Sequence, residues 1–376
     1  MKKNLILACL LALTVGFTAC EKEKPEPPAP DSAWVSINDG PKKGYVTGNL
    51  SAVLTGTVTK LVFGDNSELN GSDIKAIRTI RETLQYLDMK KATIIEGGDV
   101  YFNESGYTCT TTRYVIGAIM FYQMKQLKSL ALPANTISIE EWAFGGCESI
   151  SAVDIPTNVI SIGNNAFLGC HSLKTITIPA SVTNIGYSAF YRCTALTTVN
   201  LPAGLEHILS ETFYGCTALV SITLPIGLKT IGSQTFSNCT NLTSVTFPNG
   251  FETIGWEAFS DCNSLTNLTL PASIAYIGQS VFFQAGVKTL NLQATTPPIL
   301  HQNSFYGANA LNKINVPKSA TAAYNTELNT QNNGWRHSDT GTINLIPGGS
   351  VVIKWLAGHS HNYGYELELT LSAILD

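Results

Sequence analysis

Six cysteines stand 23 residues apart, at Cys147, Cys170, Cys193, Cys216, Cys239 and Cys262, and these side chains have the clearest claim to chemistry. If the chain stacks with that period, neighbouring cysteines lie about one strand spacing apart, a Cα separation that a disulfide accepts, so an exported chain could oxidise them in pairs. Each also follows a phenylalanine by three residues and so takes an inward slot, where an unpaired cysteine acts as a small apolar side chain. Burial as free thiols is the expectation. No Cys-x-x-Cys pair or ordered Cys/His spacing points to zinc. His359 and His361 alternate in a turn-like stretch with no third ligand nearby, and no metal site is expected.

A nucleophile elbow, a HExxH helix, a P-loop and a glycine-rich dinucleotide turn are all missing from the sequence. Asp154, Glu206, Glu211, Glu252, Glu257 and Asp261 are dispersed, and no two are expected to share a face as glycoside hydrolysis requires. The chain is therefore read as a non-enzyme without a cofactor. Contact chemistry remains. Tyr187, Tyr191, Tyr214 and Trp256, with Phe283 and Tyr306, gather at one ridge of the repeat, and exposed aromatics anchor interfaces or stack on sugars. Tyr191 and Tyr214 share a phase and should be neighbours. A second candidate is a strip of mostly hydroxyl side chains, Ala131, Asp154, Thr177, Asn200, Thr223, Thr246 and Thr269.

What must position these residues is a repeat. Phenylalanine recurs every 23 residues from Phe121 to Phe305, and proline from Pro133 to Pro271. In the unit Leu173 to Cys193, Ile176 and Ile178 alternate with Thr175 and Thr177, the pattern of a short strand with one buried face. Pro179 ends that strand, because it cannot donate a ladder hydrogen bond. A second extended piece runs from Val182 to Ile185, and a tight or 3₁₀ turn then directs Ala189, Phe190 and Cys193 inward. No unit can bury these residues alone, but stacking coils about 4.8 Å apart joins them into one core. Seven full units begin at Leu127, Ile150, Leu173, Leu196, Leu219, Leu242 and Leu265.

The ends need covers. Ser72 and Asp73 precede Ile74, Ile77, Ile80, Leu84 and Leu87 at helical spacing, which predicts an N-terminal capping helix. Leu87 to Met89 and Ile116 to Phe121 look like degenerate rungs with Met124 in the cysteine slot, and Gly97 to Arg113 forms a loop or hairpin between them. Downstream, Ala320 to Tyr324 predicts a short helix. Val351 to Leu356 and Tyr363 to Leu371 predict a β-hairpin turning near Gly358 to Asn362.

The stretch LxxIxIPxxVxxIGxxAFxxC resembles the BspA-like leucine-rich repeat family of bacterial surface proteins, and the resemblance covers Leu127 to Phe305. It implies a mainly β leucine-rich-repeat solenoid on a cell surface, with adhesion to host or bacterial partners as in some members. The departures are Leu209 for the turn glycine, Thr212 and Thr235 for alanine, Ala285 for cysteine, and one residue lost near Gly286.

Residues 1–19 pair Lys2 and Lys3 with an apolar run and read as a signal peptide. Phe17 to Cys20 resembles the lipobox of bacterial lipoproteins, which implies acylation of Cys20 and a membrane anchor. The charges that follow Cys20 resemble surface-export signals of some Gram-negative lipoproteins, and residues 20–33 form a proline-rich tether. The expected organisation continues with an N-terminal cap and degenerate repeats (34–126), the solenoid (127–317), and a C-terminal cap with a hairpin tail (318–376). The chain carries 23 basic and 27 acidic residues, and nucleic-acid binding is disfavoured because it needs a basic stripe. The expectation is an outer-membrane lipoprotein, exposed on the cell surface, whose solenoid binds a protein of the host matrix or of a bacterial surface. The alternatives are a glycan-binding lipoprotein and a spacer presenting the C-terminal hairpin.

Overall fold

Ile176 and Ile178 are buried while Thr175 and Thr177 face solvent, so the strand Thr175–Thr177 shows its alternation directly. Its partners 23 residues away on either side, Ala152–Asp154 and Thr198–Asn200, pair with it in parallel and in register. Asn184–Ile185 pairs likewise with Ser161–Ile162. The computed structural model describes residues 33–301, 303–324, 351–355 and 367–370, and through most of them each coil carries these two short strands. The mainly β solenoid expected from the repeat is the fold. The one-residue loss also shows: Asn267–Leu270 pairs with Thr289–Leu292 at an offset of 22, whereas Tyr276–Ile277 pairs with Ile299–Leu300 at 23. Gly286 is required there, because a Cβ would lie 2.0 Å from the Asn263 carbonyl oxygen.

The turn of each coil is neither α nor 3₁₀ but a chain of turns that builds a third ladder. In the coil of Phe167, the N–H groups of Asn165, Phe167 and Gly169 donate to the carbonyls of Tyr187, Ala189 and Tyr191 in the next coil, at 2.8 to 2.9 Å. Left-handed backbone at Asn165 (φ 55°) and Gly169 (φ 69°) brackets the buried Ala166-Phe167 pair and turns these donors the same way. Inside this ladder the nine ring residues from Phe121 to Phe305 stack with centroids 5.2 to 6.2 Å apart and planes within 17°. A stacked, offset column satisfies both the aromatic quadrupole and the coil spacing.

The strand ladders are less continuous than the turn ladder. Asn184–Ile185 and His207–Ile208 are not paired, and the Leu209 N–H lacks the bond that Gly186, Gly232 and Gly255 each make to the isoleucine carbonyl of the preceding coil. A Cβ on Gly186 would stand 2.4 Å from the backbone nitrogen of Asn164. Leucine in that column therefore fits only where the coils part. Glu140, in the same column, keeps its bond to Ile116 opposite the small pair Gly117 and Ala118. On the first-strand side, no backbone hydrogen bond joins Thr198–Asn200 to Ser221–Thr223, or Ser244–Thr246 to Asn267–Leu270.

At the N-terminal end the parallel pairing runs back through Tyr86–Asp88 to Lys60–Phe63, which Trp34–Ile37 covers antiparallel. The capping helix is Gly71–Thr79 and starts earlier than its sequence suggested. Asn70 is the N-cap, its side chain accepting from the Ser72 and Asp73 backbones while Asp73 accepts from the Asn70 N–H. It also stops sooner: a turn follows through Thr83, Leu84 lies just past it, and Leu87 is in the strand Tyr86–Asp88. From the helix, buried Arg78 sends Nη1 to the carbonyls of Ile119 (2.7 Å) and Met120 (3.2 Å), while the Tyr101 hydroxyl donates to that of Ala118 at 2.8 Å. Ala118 and Met120 hold the carbonyls that a preceding coil's turn would have bonded. The predicted hairpin is Phe102–Glu104 with Tyr107–Cys109.

At the other end Ala320 and Tyr324 are buried, with the Tyr324 hydroxyl donating to the Ala294 carbonyl at 3.1 Å. Val351–Trp355 pairs antiparallel with Lys313–Asn315 and with Leu367–Thr370, so the C-terminal hairpin continues the first-strand sheet. Its turn, His359, His361 and Cys20 lie outside the described residues.

Candidate binding surface

The six ladder cysteines are free and fully buried. Each Sγ–H donates, at 3.0 to 3.3 Å, to a phenylalanine carbonyl in the preceding coil, so Cys147 meets Phe121 and Cys262 meets Phe236. The inward reading of these residues is correct, and the thiols also serve as weak donors. Burial pushes Cys147 and Cys239 up to about 12 and the other four well above the ordinary thiol value. A raised native value means that the folded chain holds protons the unfolded chain has lost. Stability is thus complete below the ordinary thiol range and falls as pH rises toward 12. Each thiol that ionises only on unfolding removes roughly 1.4 kcal/mol per pH unit above about 9. Thermal melts between about pH 8 and 11 should show a steep loss of stability that is reduced when two ladder cysteines are replaced by alanine; an unchanged slope would contradict this.

The first-strand face is a broad, uniform surface. Thr175 and Thr177, Thr198 and Asn200, Ser221 and Thr223, Ser244 and Thr246, and Asn267 and Thr269 are all exposed. They form two columns with no charged side chain, one bonded onward from Thr269 to Asn291 (3.1 Å) and Asn315 (2.7 Å). A groove of about 720 Å³ crosses this face and its loops. Its lining includes the hydroxyls of Thr223 and Thr246 beside Leu201, Pro225, Phe247 and Ile226, the last 84% exposed. It overlies the unpaired boundary between Thr198–Asn200 and Ser221–Thr223. The sequence showed the hydroxyl strip but not the groove that crosses it.

Tyr191 and Tyr214 do neighbour each other. Their rings stack at 4.6 Å and 4°, the Asn238 amide donates to the Tyr214 hydroxyl at 3.0 Å, and Arg192 lies 5.5 Å from the Tyr191 ring. Stacking covers one face of each ring, and both residues are half-buried. Phe283 and Tyr306 stack in the same phase at 6.0 Å. Tyr187 and Trp256 remain 52% and 44% exposed and occupy the same position of coils three apart. The dispersal of the carboxylates needs correction: Glu211 and Glu257 share a column two coils apart, as do Glu206 and Glu252. Gln234 and Lys229 stand between the pairs, Lys229 bridging to Glu252 at 3.0 Å. A count in steps of 23 would have found both. Among the described residues, no three His, Cys, Asp or Glu side chains are grouped to hold a metal ion.

The profile of the BspA type leucine rich repeat region matches in six copies, over residues 114–240 and 206–332. A leucine-rich repeat protein from Bacteroides ovatus is 24% identical, with a TM-score of 0.51 over 76% of this chain and 68% of that one. A leucine rich cell surface protein from Faecalibacterium prausnitzii is 21% identical, with a TM-score of 0.34 over 75% of this chain and 94% of that one. The T. pallidum leucine rich repeat protein is 23% identical, with a TM-score of 0.41 over 56% and 86%. No curated protein matches.

Proposed function

Because the chain belongs to the BspA-type leucine-rich repeat family, we propose that it is a non-catalytic binding module, held at the outer membrane by a lipid on Cys20 and displayed on the cell surface. In this reading residues 20–33 are the tether, and the partner is a protein of the host matrix or of another bacterial surface. The observation that carries it is the charge-free strand face from Thr175 to Thr269 with its apolar groove. Repeats build extended surfaces of this kind, and a face without charge selects a partner by shape, apolar contact and hydrogen bonding. Affinity should then change little with ionic strength, since screening acts on charges.

Protease added to intact cells is expected to remove the repeat array while a periplasmic marker survives; survival of the array would overturn surface display. The purified full-length protein should bind an immobilised matrix protein saturably. Its Kd should shift less than about threefold between about 0.05 and 0.5 M salt, and lysine at Thr223 and Thr246 should weaken it. Absence of saturable binding across a panel of matrix and bacterial surface proteins would end the proposal.

A further inference from the structure

We propose that the turn ridge between Tyr187 and Trp256 is a separate site for a neutral oligosaccharide. It does not rest on the protein-partner reading above. The two aromatics stand in one column, three coils and so about 14 Å apart, and both are substantially exposed. Between them the column holds only Ser210 and Ser233, the Ser210 hydroxyl accepting from the Ser233 N–H at 3.1 Å. Small side chains flanked by rings make a shelf with an aromatic wall at each end.

A polar column runs beside the shelf. Glu211 accepts the Ser188 hydroxyl at 3.0 Å and Glu257 accepts the Gln234 amide at 2.7 Å, both through Oε2. These bonds orient the carboxylates, whose Oε1 atoms accept no bond from the described residues. A pyranose offers what this arrangement lacks: C–H faces for the electron-rich faces of Tyr187 and Trp256, and hydroxyl donors for carboxylate oxygens, which form the stronger, charge-assisted class of hydrogen bond. An anionic sugar would meet Glu211 and Glu257 as like charges, which selects neutral chains.

The test is native affinity electrophoresis of the full-length protein through gels containing a mannan, a starch, a β-glucan or an arabinogalactan. At least one should retard it, independently of salt. Tyr187→Ala and Trp256→Ala should each weaken retardation by roughly tenfold, the loss typical of an interface anchor. Glu211→Gln, which preserves shape, should weaken it less. Thermal midpoints equal to the parent's would show that these surface variants fold. Three results would overturn the proposal: no retardation by any of these polysaccharides, retardation unchanged when Tyr187→Ala and Trp256→Ala are combined in one chain, or retardation that salt abolishes.

Discussion

Truncation of Phe190 to alanine is expected to cost about 3–5 kcal/mol and to split the array's unfolding into two transitions. Phe190 is fully buried between Phe167 at 5.4 Å and Phe213 at 5.6 Å, so its removal leaves a cavity that two neighbouring rings cannot both fill. The stability of a solenoid is close to a sum of coil and interface terms. The interface beyond Phe190 already lacks second-strand pairing, because Leu209 replaces glycine there. Phe167→Ala provides the contrast: it opens a similar cavity between coils paired on both strands, and should cost as much while leaving one transition. Denaturant melts followed by circular dichroism separate the cases. If both variants unfold in one step, the weakened interface has no thermodynamic meaning.

Arg78→Met should destabilise the N-terminal end by about 3 kcal/mol, the scale of two hydrogen bonds from a charged donor to buried acceptors. Methionine keeps much of the apolar length but leaves the Ile119 and Met120 carbonyls without their guanidinium partner. Arg78→Lys should not restore them, since an ammonium cannot reproduce a planar fork that also lies 4.9 Å from the Phe102 ring. Hydrogen exchange should show residues 71–121 opening while the coils beyond Phe167 keep their protection. Uniform loss of protection along the array would refute a local capping role.

The repeat was legible because a 23-residue step writes the same inward set, Leu173, Ile176, Phe190 and Cys193, into unit after unit. Both strands, the phenylalanine column and the buried thiols follow from it. The N-terminal end was less legible because its strands pair at other intervals: Leu61 lies opposite Leu87, and Leu87 opposite Leu130. The helix start was misplaced because Asn70, Ser72 and Asp73 are all capping residues, and only the reciprocal Asn70 and Asp73 bonds decide between them. The aromatic ridge was readable as a set of phases but not as surfaces. Tyr191 and Tyr214 each spend one face on the other, while Tyr187 and Trp256 remain the more exposed pair. Arg78 was invisible, since its role depends on carbonyls 41 and 42 residues away.

The unpaired strand boundaries also set how the molecule yields to force. A pull along the stacking axis loads the ladders lengthwise and peels coils one at a time, in the manner of a zipper. The boundary between Thr198–Asn200 and Ser221–Thr223, lacking first-strand hydrogen bonds, gives way before the next boundary toward the C-terminus, which is paired on both strands. Each released coil of 23 residues pays out about 80 Å of chain, so the array extends in small steps at low load and spares whatever contact it is holding.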